Sequence, residues 1–83
     1  MDLRTWREAH GMNRDECAMA AGTSAYAVSA AENGRRKLDE GLYALVAQVS
    51  GQDVADAILR ESAQRARGAA QRIRERLLQQ AAV

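Results

Sequence analysis

The chain holds one imidazole, His10, and one thiol, Cys17. A single cysteine can form neither an internal disulfide nor a thiolate metal cluster. A single histidine is too few for a histidine metal site, or for a Ser–His or Cys–His pair on separate helices. Asp15 and Glu16 are neighbours on one helix and therefore do not face each other, which removes the obvious carboxylate pair. No glycine loop able to cradle phosphate is present either. Cys17 reads as a small buried residue and His10 as a helix-end residue whose charge suits a C-terminus. The expectation is a protein that is not an enzyme and needs no cofactor and no metal.

The remaining chemistry belongs to the cations. The formal net charge is only +1, but it is unevenly distributed. Residues 1–56 carry six basic against nine acidic side chains, a net of −3, whereas residues 57–83 carry six arginines against Glu61 and Glu75, a net of +4. Placement of charge, more than its sum, decides which partners are attracted. The run Arg35-Arg36-Lys37 is the densest basic cluster of the first segment.

The elements that must position these groups are helices. Proline and phenylalanine are absent, alanine, arginine and leucine dominate, and no alternating β-branched run suggests a strand. Asp2 can cap a first helix bearing Leu3 and Trp6 on one face, with Gly11 as its stop. Asn13, with Glu16 three residues on, has the spacing of a capping box for a second helix whose apolar face is Cys17, Ala18 and Ala21. Gly22 ends it, and Thr23 or Ser24 caps a third helix reaching Glu32, with Val28 and Ala31 inward and Asn33-Gly34 closing in the left-handed conformation. Asp39 or Glu40 opens a fourth helix with Leu42, Leu45, Val46 and Val49 inward, ending at Gly51. A long final helix runs from Gln52 or Asp53 to about Gln80, with Gly68 as a weak point. The fold class is all-α, five helices with an extended C-terminal one.

The stretch MNRDECAMAAGTSAYAVSAAENGRRK, with LRTWREAHG before it and LYALVAQVSG after it, resembles the Cro/repressor class of helix-turn-helix domains, the XRE family, over roughly residues 3–51. A glycine-containing turn between two short helices lets the second lie in the major groove while the first braces on the backbone. The resemblance implies a DNA-binding domain at 1–51, followed by a C-terminal helix at 52–83 for dimerisation. By position it puts Ser24, Ala25, Tyr26, Ser29 and Ala30 on the groove side, with Thr23 as a further DNA-binding residue. It also puts Asn13, Arg14, Asn33, Arg35, Arg36 and Lys37 near phosphates, and pairs Arg7 with Glu32 in a structural salt bridge. Two departures stand out: Arg14 replaces a frequent glutamine, and Leu38-Asp39 stand where a proline is common. The groove face also lacks arginine, asparagine and glutamine, so direct base readout should be thin and DNA shape should contribute.

The functional expectation is a sequence-specific double-stranded DNA-binding transcriptional regulator, a homodimeric repressor of phage or plasmid type on a roughly palindromic operator. The alternative is an antitoxin or other interaction module that binds a partner protein. The stripe Ile58, Ser62, Ala66, Ile73 and Leu77 recurs at helical spacing with nothing left in the chain to cover its outer half, so it is the expected dimer seam. No apolar stretch approaches the ~20 residues of a membrane span and no signal-peptide pattern opens the chain, so a soluble cytoplasmic protein without membrane contact is expected.

Overall fold

The computed structural model describes residues 1–81. Five helices follow in order, α1 (Leu3–Ala9), α2 (Arg14–Ala21), α3 (Ala25–Glu32), α4 (Glu40–Ser50) and α5 (Gln52–Ala81), and no strand occurs among the described residues.

Each of the first four starts on a side-chain cap that satisfies an amide the helix itself cannot. Asp2 accepts from the Thr5 N–H and Ser24 from the Ala27 N–H. Asn13 and Glu16 form the reciprocal capping box at 2.8 and 3.0 Å. Asp39 does two jobs. Its Oδ1 accepts from the Leu42 N–H at 2.9 Å, starting α4, while its Oδ2 accepts from the Thr23 hydroxyl at 2.7 Å, tying α4 to the turn between α2 and α3. Gly22 closes α2 at φ +69°, the left-handed conformation that only glycine takes without strain. At the end of α3, Gly34 alone has positive φ, and Asn33 stays at −96°.

The core is one cluster built from every helix: Leu3 and Trp6 of α1, Cys17 and Ala18 of α2, Val28 and Ala31 of α3, Leu42 and Val46 of α4, Ala55 and Ile58 of α5, with Leu38 from the loop. The Trp6 indole N–H, buried with its ring, donates to Ser50 Oγ at 2.8 Å, the partner that a buried indole requires. Val49, expected inward, is 54% exposed in the last turn of α4.

Two expectations about α5 need correction. Ala55 and Ile58 have no exposed surface because the start of α5 packs on α4, so the packed body does not stop at residue 51. Ile58 and Ser62 are therefore unavailable to a dimer seam. Ser62 Oγ instead accepts from the Leu38 N–H at 2.8 Å and donates to the Leu59 carbonyl at 2.9 Å. A proline at position 38 could not donate that bond, which gives a physical reason for Leu38 at this place. Past the body α5 continues unbroken through Gly68, and every side chain from Ala70 to Ala81 is exposed.

Gly41, in the first turn of α4, lies against the last residue of α2, Ala21. A Cβ at this position would collide with the carbonyl oxygen of Ala21. By intrinsic propensity alone, Gly41→Ala should stabilise the helix by about 1 kcal/mol. Overpacking against backbone costs about 1–3 kcal/mol, and the collision should win. Chemical denaturation should find Gly41→Ala less stable than the parent, whereas a more stable variant would mean that α2 and α4 do not pack this closely.

Candidate nucleic-acid interface

The centre of the candidate interface is a buried carboxylate. Glu32, the last residue of α3, has no exposed side-chain surface. Arg7 of α1 grips it with both ends of its fork, Nε to Oε2 at 2.7 Å and Nη2 to Oε1 at 3.1 Å. The third arginine nitrogen, Nη1, donates to the Met12 carbonyl at 2.9 Å. Arg4 Nε at 3.2 Å and Arg14 Nε at 3.3 Å add two further donors to Oε1. The expected Arg7–Glu32 pair is present, and it is the best-buried part of a four-residue cluster. Arg4 was not anticipated from sequence, although its spacing of three from Arg7 places both on one face of α1.

The electrostatics follow from this geometry. Burial alone raises the Glu32 pKa, but hydrogen bonds from Arg7 and Arg4 and the charges of Arg7 and Arg14 outweigh it, so the carboxyl sits below its ordinary 4.5. Hydrogen bonding from Thr5 moves Asp2 in the same direction. Burial pushes the Cys17 thiol up, away from the reactive thiolate. Around Glu32 three cations meet one anion, and Arg35, Arg36 and Lys37 follow, all exposed. The end of α3 is therefore positive even though residues 1–56 are net negative.

The remaining candidate residues differ in their exposure. Tyr26 is 57% exposed, and the Arg36 guanidinium lies over its ring at 5.5 Å from the centroid. This stack brings together the one large side chain on the outer face of α3 and a cation from the following loop. Ser24 is exposed, while Thr23, Ala25 and Ser29 are half-buried. Thr23 is held by Asp39, and Ser29 accepts from the exposed Asn33 at 3.1 Å. Asn13 is exposed at the start of α2, beside an Arg14 whose side chain is 40% exposed. Ala30 requires a correction, because it has no exposed surface. The loop folds back so that the Arg35 and Arg36 N–H groups donate to the Ala30 carbonyl at 2.9 and 3.3 Å. On α5, Ala66 is half-buried, and Ile73 and Leu77 are 51% and 55% exposed. Among the described residues no group of three or more histidine, cysteine or acidic side chains is placed to hold a metal ion, and no helix is long and apolar enough to cross a membrane.

Breaking a buried ion pair from one side strands the other charge. Arg7→Ala should therefore cost about 3–5 kcal/mol, whereas Arg4→Ala, at a side chain 49% exposed, should cost under about 1 kcal/mol. Thermal melts of the two variants test this ordering, and equal losses would contradict it. The pH dependence has a fixed sign. Since the folded Glu32 and Asp2 pKa values lie below those of the free groups, their contribution is complete above about pH 4.5 and disappears as pH falls through the folded values. Stability that rose on acidification through this window would be the wrong sign.

Comparison with family models, with curated proteins and with solved structures returned no match for this chain.

Proposed function

We propose that this protein is a double-stranded DNA-binding transcriptional regulator, acting in the cytoplasm as a homodimeric repressor on a roughly palindromic site. The observation that carries the reading is the α2–turn–α3 unit, joined by Gly22, Thr23 and Ser24 and carrying the exposed Tyr26–Arg36 stack beside the exposed run 35–37. A helix in that setting can enter a major groove, and the flanking cations can neutralise phosphates on either side. The sequence resemblance to Cro/repressor domains supports the same reading. Arg14 retains exposed surface at the start of α2, so it can reach a phosphate while its Nε stays on Glu32.

Two recognition helices of a dimer must lie about 34–36 Å apart, or a multiple of that, to meet successive major grooves on one side of the duplex. Of the residues expected at the seam, Ala66, Ile73 and Leu77 remain available for it. A second reading, an interaction module of antitoxin type, is favoured by the same exposed apolar residues of α5. An obligatory partner that co-purifies with the chain and is needed for its stability would establish it.

Selection of duplexes from a random pool should yield one preferred site, bound at least about 10³-fold more tightly than a scrambled duplex. Equal affinity for both would overturn the reading. Arg36→Ala should weaken all duplexes alike and reduce the salt slope by about one unit. Tyr26→Ala should cost the preferred site about 1–3 kcal/mol if the ring reads a base. Because Arg36 lies over Tyr26, the double variant should lose less than the sum of the two single ones. Strict additivity would mean that the stack does not organise the contact.

A further inference from the structure

The outer half of α5 carries two features that a symmetric seam between two such helices cannot reconcile. At about 100° per residue, Ala66, Ile73 and Leu77 form one narrow stripe. Arg67 and Arg74 flank it on one side, Arg72 and Arg76 on the other. Two copies packed stripe to stripe would bring arginine rows against arginine rows, and like charges across such a contact are destabilising. Glu75 is the only acidic residue after Glu61, and it is engaged by the Gln71 amide at 3.2 Å. Contacts with DNA phosphates would use the arginines but leave Ile73, Leu77 and Leu78, each more than half exposed, without a role.

The body has the opposite character. Of its ten acidic residues, Glu8, Asp15, Glu16, Glu40 and Asp53 are exposed, and none of these five takes part in an ion pair among the described residues. The body also exposes apolar side chains, Met19 at 83% and Val49 at 54%. Asp15 and Glu16 precede Met19 by four and three residues, which puts all three on one face of α2. The arm carries four arginines against the single, engaged Glu75, and the body has unpaired acid, so each supplies what the other needs. The arm is too remote from its own body to meet it, since α5 is a continuous helix whose outer half leaves the packed core, and the long dimension of the molecule is 51 Å against 24 and 19 Å.

We propose that the outer half of α5, residues 66–81, docks as an arm on the acidic body of a second copy of this chain, and not on that copy's own α5. The proposal rests on the homodimer reading above and specifies what faces the stripe. Apolar contact by Ile73 and Leu77 supplies the adhesion, and the arginine rows set partner and orientation through charge.

Salt distinguishes the two arrangements by sign. Sedimentation equilibrium of the full chain without DNA, at low and at high sodium chloride, measures the dimer dissociation constant directly. An arm on an acidic body should weaken with salt, by at least about fivefold between ~50 mM and ~500 mM. A seam of facing arginine rows should tighten over the same range, and that result overturns the proposal. A second measurement uses Arg67→Glu with Arg74→Glu, both at exposed positions, with circular dichroism confirming retained helix. The pair should loosen an arm-on-body dimer, whereas a tighter dimer overturns the proposal. A chain that stays monomeric at every salt concentration overturns both this arrangement and the homodimer reading. Duplex titrations report separately on whether the chain binds DNA.

Discussion

A carboxylate removed from water remains charged only if the surrounding groups replace the solvent, and at Glu32 three arginines do so. Those arginines come from two other helices, Arg4 and Arg7 from α1 and Arg14 from the first turn of α2. The pairing therefore does more than satisfy one charge. It fixes the C-terminal end of α3 against the start of α2, and so the angle at which α3 leaves the turn. A hydrophobic contact of the same area would be less directional, since a bidentate arginine fork specifies orientation as well as distance. Arg7 also holds the Met12 carbonyl, so the segment that leads into the Asn13 cap is locked to the same point.

The rest of the candidate interface depends on that placement. The Arg35 and Arg36 amides are anchored on the Ala30 carbonyl, two residues before Glu32, and the Arg36 side chain returns over Tyr26. A face built of alanine, serine and one tyrosine offers few base-specific donors. In the proposed complex its specificity comes from rigid presentation, with the tyrosine held by an arginine and the cations fixed relative to the helix, together with the shape of the duplex. Asp39 contributes from the other side by holding Thr23 and the start of α4 at once. Loss of rigidity would therefore blur a readout that has little chemistry to spare.

The local features were legible in the sequence and the long-range ones largely were not. As helix caps, Asp2, Asn13, Ser24 and Asp39 accept from amides three residues on, so their spacing carries the information. The Arg7–Glu32 pair was anticipated through the family resemblance, but the convergence of Arg4 and Arg14 on the same oxygen depends on how α1 and α2 cross α3, which spacing does not encode. Ala30 sits on the groove side by helical position, yet it is buried, and the loop after α3 folds back on its carbonyl. Ile58 and Ser62 share a stripe with Ala66, Ile73 and Leu77. The periodicity is continuous, yet its first part lines the body's own core and its second part is bare. The pattern of residues cannot mark where the body ends, since that point is set by how far α4 and the loop before it extend alongside α5.

The central physical claim is that Glu32 is an ionised carboxylate held by arginines inside the protein. Its side-chain carboxyl can be followed by carbon-13 NMR through an acid titration of the intact chain, with the signal assigned by its loss in Glu32→Gln. The titration midpoint should lie below the ordinary 4.5, with tertiary structure failing as the group protonates. A midpoint at or above that value, with the fold unchanged on protonation, would contradict it.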